Sequence, residues 1–406
     1  MKRLHIHSDN SEWAGSENMP GIMLTNEKIY DNYLVSFSYR DSPEYCEGFS
    51  KWVKPFSHRQ WADIYPMDFW VTNLYKLRKY YKPIMGLKYF AMIEEVIKLY
   101  NLFSDIKPDV LHINNGGFPA ATSCNSAAIA GKLLGVPVIT YTINSAVRAS
   151  FVDKVLASIV KKCVTFFISA SKHLKQTSET LKEDGNWIVI PNTLRYEEPR
   201  VSPDQIREKL GIDPEKTFFL NVGVMEPRKS QHLLPKLLNG KKSFIVIKGE
   251  DKGNLINIKK KIIEEDGNGE FKILLKSEFT DRELISACDY FVLPSESDED
   301  FPNVLLLAMM YGKPSIANDL AGIPEIINKE ILGSIFDYRG SSFTHFSLKL
   351  MSMIDYNEGS FNLKGTETNR KEHHSKEIKE IYQERYGEDI VIDRFLKTWS
   401  LSDDLF

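Results

Sequence analysis

The 406-residue sequence has no apolar run long enough to span a bilayer, and its opening MKRLHIHSDN lacks a signal peptide's apolar core. The expectation is a cytoplasmic protein, lying at most on a membrane surface. Cysteine is scarce. Cys46, Cys124, Cys163 and Cys288 form no Cys-x-x-Cys pair and no disulfide-like rhythm, which fits a reducing compartment. Neither sign of charge dominates: the formal net charge is −3 with 26% charged residues, so a nucleic-acid footprint is excluded. The adjacent His373 and His374 have no third ligand in view, which argues for a surface helix or loop and against a metal site. What the chain does have is length, enough for about two to three domains with cores of their own.

Taken in order, Lys2 to His7 reads as a strand, followed by a polar loop containing Ala14-Gly15 and a helix from about Asn18 to Leu24. Glu17, at that helix start, reads as a surface capping residue. Leu34 to Tyr39 is a second strand. From Lys51 to Tyr100 the chain is aromatic and basic, and Trp70 to Lys82 mixes cations with rings. Two readings stand side by side there: a face for an anionic membrane or lipid-phosphate acceptor, or a solvated helix whose aromatics are core. Asp109 to Ile113 is a buried strand. It is followed by Asn114, Asn115, Gly116 and Gly117, which form either an anion-accepting turn or a plain one. A small-residue helix then runs to Leu134 with Gly135 and Pro137 as stop signals, and Val138 to Thr142 is the next strand. Ser202-Pro203-Asp204 starts a linker helix that Gly211 ends. Phe218 to Val222 opens a second half, followed by Gly223 and by the adjacent cations Arg228 and Lys229. That pair either neutralises an anion at a strand exit or lies solvated on a loop; the framing strand, glycine and helix favour the first.

The most informative stretch is FVLPSESDEDFPNVLLLAMMYGKPSIANDLAGIPEII, from Phe291 to Ile327. An apolar strand runs into Pro294-Ser295 and an acidic cluster. Phe301, Pro302 and Asn303 then open an apolar helix through Val304 and Leu307, which Gly312 ends before a short strand at Ser315. Strand, polar loop, helix and strand make one turn of a doubly wound sheet, with the loop at the carboxyl end where such sheets bind ligands. The N–H groups at the start of the Asn303 helix would face an anion placed there.

Pro294, Ser295, Glu299, Phe301, Pro302, Asn303, Ala308, Met309, Gly312 and Pro314 resemble the donor-sugar signature of retaining GT-B glycosyltransferases, in particular glycosyltransferase family 4. The resemblance extends to Gly15, Gly223, Arg228 and Lys229 and to the Asp109–Val138 region. There, Asn114 stands where relatives carry a histidine near the reacting sugar. Ile143-Asn144 stands where a later histidine would be. Asparagine hydrogen-bonds a hydroxyl but cannot take a proton as imidazole does. The loop from Ser295 to Glu299 is one residue longer than in relatives. Leu307 replaces a second glutamate that in relatives holds the nucleotide ribose.

The resemblance implies an α/β chain of GT-B class, two Rossmann-like domains facing a cleft. The first, an acceptor domain, would span 1–195 plus a crossing C-terminal helix from about 382 to 406. The second, a donor domain, would span 196–381. It implies a hexosyltransferase of surface polysaccharide, lipopolysaccharide or capsule synthesis, at the inner membrane face. A UDP- or GDP-sugar would be the donor and a glycan or lipid-linked molecule the acceptor, with no cofactor and no metal. Glu299, Lys229 and Arg228 are the catalytic candidates. Gly15, Gly223, Phe301, Pro302, Asn303, Val304 and Leu307 are the donor-binding candidates. Asn114, Asn115, Gly116 and Asn144 lie on the acceptor side. Three rival readings remain: a catalytically impaired binding relative, a GT-B-shaped sugar-nucleotide 2-epimerase, and an Asp-x-Asp metal site at Asp298-Glu299-Asp300.

Overall fold

The computed structural model describes residues 1–10, 13, 15–53, 62–69, 87–119, 121–145, 150–178, 186–237, 243–251, 253–264, 270–297, 299–336 and 367–401. The chain divides into one unit of Met1–Leu194 with Glu388–Phe406, and another of Arg195–Gly387. The Trp70–Lys82 segment, Ala14 and Asp298 lie outside the described residues.

The first unit is built on a seven-stranded sheet: β1 (Lys2–Asp9), β2 (Tyr33–Arg40), β3 (Asp63–Met67), β4 (Val110–Asn115), β5 (Val138–Ile143), β6 (Phe166–Ser169) and β7 (Trp187–Val189). All neighbours are parallel, in the order β3-β2-β1-β4-β5-β6-β7. The order reverses between β1 and β4, so the crevice beyond their carboxyl ends is the expected ligand site. There Ser8 pairs with Asn114 and Asp9 with Asn115. These asparagines therefore end a strand; they do not begin a loop. The helix Thr122–Leu134 is cheap to bury because Cys124, Ala127, Ala128 and Ala130 let it lie close against the sheet. Gly135 closes it at φ 78°, where a side chain would be strained.

The chain end belongs to this first unit. The sequence suggested one helix from Tyr382, but there are two, Glu367–Tyr386 and Glu388–Ser400, separated at Gly387. The glycine N–H still reaches the Gln383 carbonyl, and a Cβ at Gly387 would stand 2.5 Å from that oxygen. The last helix buries Val391, Ile392, Phe395 and Trp399 against Leu4, Ile6, Tyr33 and Val35. His112 packs edge-on beneath Phe395 and Trp399 and pairs with Thr140 at 2.9 Å. It is a core histidine, and burial lowers its pKa to about 3.

The second unit holds a six-stranded parallel sheet: β8 (Thr217–Val222), β9 (Ser243–Lys248), β10 (Glu270–Leu274), β11 (Tyr290–Leu293), β12 (Ser315–Asn318) and β13 (Gly333–Phe336). Their order is β10-β9-β8-β11-β12-β13. The apolar runs Phe218-Phe219-Leu220 and Tyr290-Phe291-Val292-Leu293 are buried, as central strands covered on both faces require. The reversal falls between β8 and β11, so the loops after Val222 and Leu293 meet at the crevice.

Candidate active site

Two loops 70 residues apart come together at that crevice. Gly223 follows β8, and a 3₁₀ turn, Pro227–Lys229, presents the two cations. Ser230 takes a left-handed φ of 48°, and Gln231 donates to the carbonyl of Val224 at 2.9 Å, which holds the turn against the strand. Gly249 supports it from beneath: a Cβ there would sit 1.9 Å from the Gly223 carbonyl oxygen, leaving no room for a side chain. The second loop runs from Pro294 to Pro302. Asn318 anchors its start by donating to the Ser295 carbonyl at 2.9 Å, and the Glu296 N–H donates to the Arg228 carbonyl at 2.7 Å.

Lys229 forms an ion pair with Glu299, whose same carboxylate oxygen accepts from Ser295 Oγ at 2.7 Å. Both charges are largely out of water, with side-chain exposures of 14% and 7%. A buried pair of this kind is held by geometry, because desolvation opposes it. Arg228 differs from the expected twin role. Its Nε donates to Glu226 at 2.6 Å, and its side chain is 32% exposed, so its charge is already partly met on the same turn. Phe301 packs edge-on against Tyr386, 6.0 Å between ring centres. Pro302 is buried ahead of the Asn303–Met310 helix, Asn303 and Val304 are half-buried, and Leu307 is 8% exposed. Leu307 thus belongs to a helix turn that is apolar all round, its neighbours Leu305, Leu306 and Ala308 being fully buried.

In the first unit, Gly15 opens a short 3₁₀ turn that ends at Glu17. Glu17 is the residue that the sequence misread: it is wholly buried. It accepts from Ser8 Oγ at 2.9 and 3.0 Å, from Tyr45 OH at 2.6 Å, from Asn114 Nδ2 at 3.1 Å and from Asn10 Nδ2. Burial pushes its pKa up to about 7, against the pull of those donors, and Asp9 adds to the rise. Asn144 donates to Asn114 Oδ1 at 3.1 Å and to the Asn115 carbonyl at 2.9 Å. Asn115 turns inward to Tyr141 at 2.5 Å and accepts the Gly117 N–H at 2.7 Å. That N–H is therefore satisfied locally, which favours the plain-turn reading of Gly116-Gly117. Gly116 itself leaves space for Asn10, whose Oδ1 a Cβ would meet at 2.9 Å. Asp9 is a separate charge, paired with Arg40 at 2.8 Å.

These two clusters sit where doubly wound sheets bind ligands, and the comparisons agree with that frame. Residues 202–358 match the family Glycosyl transferases group 1. A comparison with curated proteins returned no match. Among solved structures, the chain is similar to Anabaena Alr3699/HepE in complex with UDP, at 14% identity and a TM-score of 0.71, covering 98% of this chain and 99% of that one. It is also similar to the lipopolysaccharide outer core galactosyltransferase WaaB, with 16% identity, a TM-score of 0.67 and coverage of 98% and 99%. The UDP-GlcNAc 2-epimerase of Neisseria meningitidis is similar at 15% identity and a TM-score of 0.58, covering 98% and 100%. At such identities the likeness shows the fold. The chain is therefore an α/β protein of the GT-B fold class, two Rossmann-like units, whose residues 202–358 are similar to the Glycosyl transferases group 1 family.

Proposed function

We propose that this protein transfers a hexosyl group from a nucleotide-diphosphate sugar to a glycan or lipid-linked acceptor, retaining the anomeric configuration and using no metal. The observation that carries the reading is the Lys229–Glu299–Ser295 cluster at the switch point of the second sheet. Glycosyl transfer passes through an oxocarbenium-like state while negative charge grows on the leaving diphosphate. Lys229, with Arg228 and the start of the Asn303 helix, would stabilise that charge. Glu299 would accept from donor-sugar hydroxyls once its lysine turns to the phosphates. UDP is the first nucleotide to test, since HepE was solved with it. A thermal-shift screen across UDP-, GDP- and ADP-sugars should show one nucleotide class stabilising the chain, and a blank screen would sink the reading.

A second reading, the sugar-nucleotide 2-epimerase, is supported by the likeness to such an enzyme. It requires product from the sugar nucleotide alone, so turnover that depends wholly on added acceptor rules it out. The Asp-x-Asp reading has less behind it, because a short acidic triplet is common by chance and this one lies late in the chain, within the second Rossmann-like unit. Chelator-sensitive activity restored by manganese would revive it.

Leu307 bears on nucleotide affinity. Relatives hold the ribose by a glutamate at that place, and a charge-assisted hydrogen bond contributes about 1.5–3 kcal/mol, or one to two decades. Leu307→Glu is expected to tighten UDP binding in calorimetry, or to leave it unchanged if another side chain holds the ribose. A large loss would mean a differently built pocket, or a chain that binds without turnover.

Synthesis of surface polysaccharide on lipid-linked acceptors would bring the protein to the inner membrane face. Among the described residues no helix is long and apolar enough to cross a membrane. The Phe151–Lys161 helix offers a surface contact instead. It buries Leu156, Ala157 and Val160 but exposes Phe151, Val152, Val155 and Ile159 beside Lys154 and Lys162. Apolar side chains flanked by lysines suit an anionic lipid surface. Cosedimentation with phosphatidylglycerol vesicles should fall several-fold in Phe151→Ser/Val155→Ser; equal binding by the variant would remove this helix from the reading.

A further inference from the structure

We propose that Glu17 is a positioning residue: through Asn114 it sets which end of the Asn144 amide faces outward. The proposal rests on the reading of the first unit as the acceptor side. An ionised carboxylate only accepts, so the group that Asn114 turns toward Glu17 must be its NH₂. That end of Asn114 lies among three acceptors, Glu17 Oε1 at 3.1 Å, Ser8 Oγ at 3.1 Å and the Ser16 carbonyl at 3.3 Å. Its oxygen is thereby turned toward Asn144, which donates to it at 3.1 Å. The same Asn144 nitrogen also serves the Asn115 carbonyl at 2.9 Å, so both of its hydrogens point inward. The oxygen of this half-buried side chain is what remains to accept from an incoming hydroxyl. A hydroxyl about to attack a sugar carbon is oriented by an acceptor, and an outward NH₂ would turn it the wrong way.

The relay is built from four elements, which is why it is rigid. Glu17 ends a 3₁₀ turn, Ser8 lies on β1, Asn114 on β4, and Tyr45 on the helix Pro43–Val53. Charged and titratable groups facing Glu17 are few. Tyr45 donates at 2.6 Å, and Asp9 acts through space while paired with Arg40 at 2.8 Å. Cys124 lies behind Asn114, donating to its carbonyl at 3.3 Å. Among the described residues no cation touches Glu17. Among these residues its charge is held by four neutral donors, and protonation removes the charge-assisted hold on Asn114. With its pKa pushed up to about 7, that change falls within a workable range.

The test follows the side-chain amide signals of Asn114 and Asn144 by nitrogen-15 NMR of the full chain between pH 5.5 and 8.5. Asn114→Asp and Asn144→Asp would assign the signals. Both pairs should move with one common midpoint near that of Glu17, and the movement should vanish in Glu17→Gln. Tyr45→Phe keeps the buried volume and removes one donor to the carboxylate. It should raise the midpoint by about one pH unit, since a hydrogen bond to a charged group contributes about that much. Amides that stay still, move with unlike midpoints, or still titrate in Glu17→Gln overturn the proposal. If Glu17→Gln fails to fold, a midpoint unmoved in Tyr45→Phe overturns it equally. UDP stabilisation in thermal shift should be unchanged in Tyr45→Phe. A blank nucleotide screen with an intact relay would sink the functional reading instead.

Discussion

Lys229→Met should lower turnover of the stabilising nucleotide sugar by about a hundred- to a thousand-fold, the usual loss when one preorganised charge-stabilising donor is removed. The same substitution should also destabilise the protein. It strands Glu299, 7% exposed, with Ser295 as its remaining hydrogen-bond donor among the contacts described above. Removing one partner of a buried ion pair costs about 3–5 kcal/mol. The double variant Lys229→Met/Glu299→Gln removes the stranded charge and leaves a group that Ser295 still satisfies. It should therefore recover most of the lost stability in urea denaturation while recovering no activity. That divergence separates a catalytic lysine from a structural one. A double variant that regains turnover along with stability would show that the pair only holds the loop in place.

Stability should peak near pH 6.5 and fall on both sides, for opposite reasons. Glu17 and Glu95 are buried carboxyls, raised by desolvation from 4.5 to about 7 and about 8, with Asp9 adding to both. The folded state holds their protons where the unfolded state has released them. Their contribution is complete below 4.5 and is lost as pH rises to 7 and 8. His5, His7 and His112 run the other way. Burial lowers His7 to about 4, His112 to about 3 and His5 well below 6.5, so the unfolded state takes up their protons first. Their contribution is complete above 6.5 and is lost as pH falls. Between 4.5 and 6.5 three histidines outweigh two glutamates, and stability rises with pH. Above 6.5 only the glutamates still act, costing together about 3 kcal/mol by pH 8 at 1.36 kcal/mol per unit. Denaturant midpoints measured from pH 5 to 8 check this, and Glu95→Gln should erase most of the alkaline limb. Stability still climbing from 6.5 to 8 would contradict the burial of both carboxyls in their protonated form.

The second-unit site was largely legible because its signals are local. Tyr290–Leu293 announces a central strand by its apolar run, and Pro302 and Gly312 mark the bounds of the helix after it. That Lys229 meets Glu299 was not local, since the two lie 70 residues apart and only the resemblance joined them. Glu17 was misread for the opposite reason. A glutamate at a helix start is usually solvated, and nothing adjacent announces that Ser8, Tyr45 and Asn114 will close over it. The break at Gly387 had its signals, a glycine followed by Glu388 and Asp389 at a helix start, but the amphipathic run beyond it masked the stop. The same blindness covers Arg228, whose neighbour Glu226 is its partner at 2.6 Å.

The return of the last helix to the first unit sets an order of folding. Residues 195–387 form one uninterrupted unit, whereas the first needs Glu388–Phe406 to be complete. On a ribosome the earlier-made half is therefore the later to close. The face of Leu4, Ile6, Tyr33 and Val35 that Trp399 finally covers stays open through the synthesis of everything between. At about 5–20 residues per second that interval lasts about twenty to seventy seconds, long enough for an exposed apolar sheet face to need a chaperone's protection.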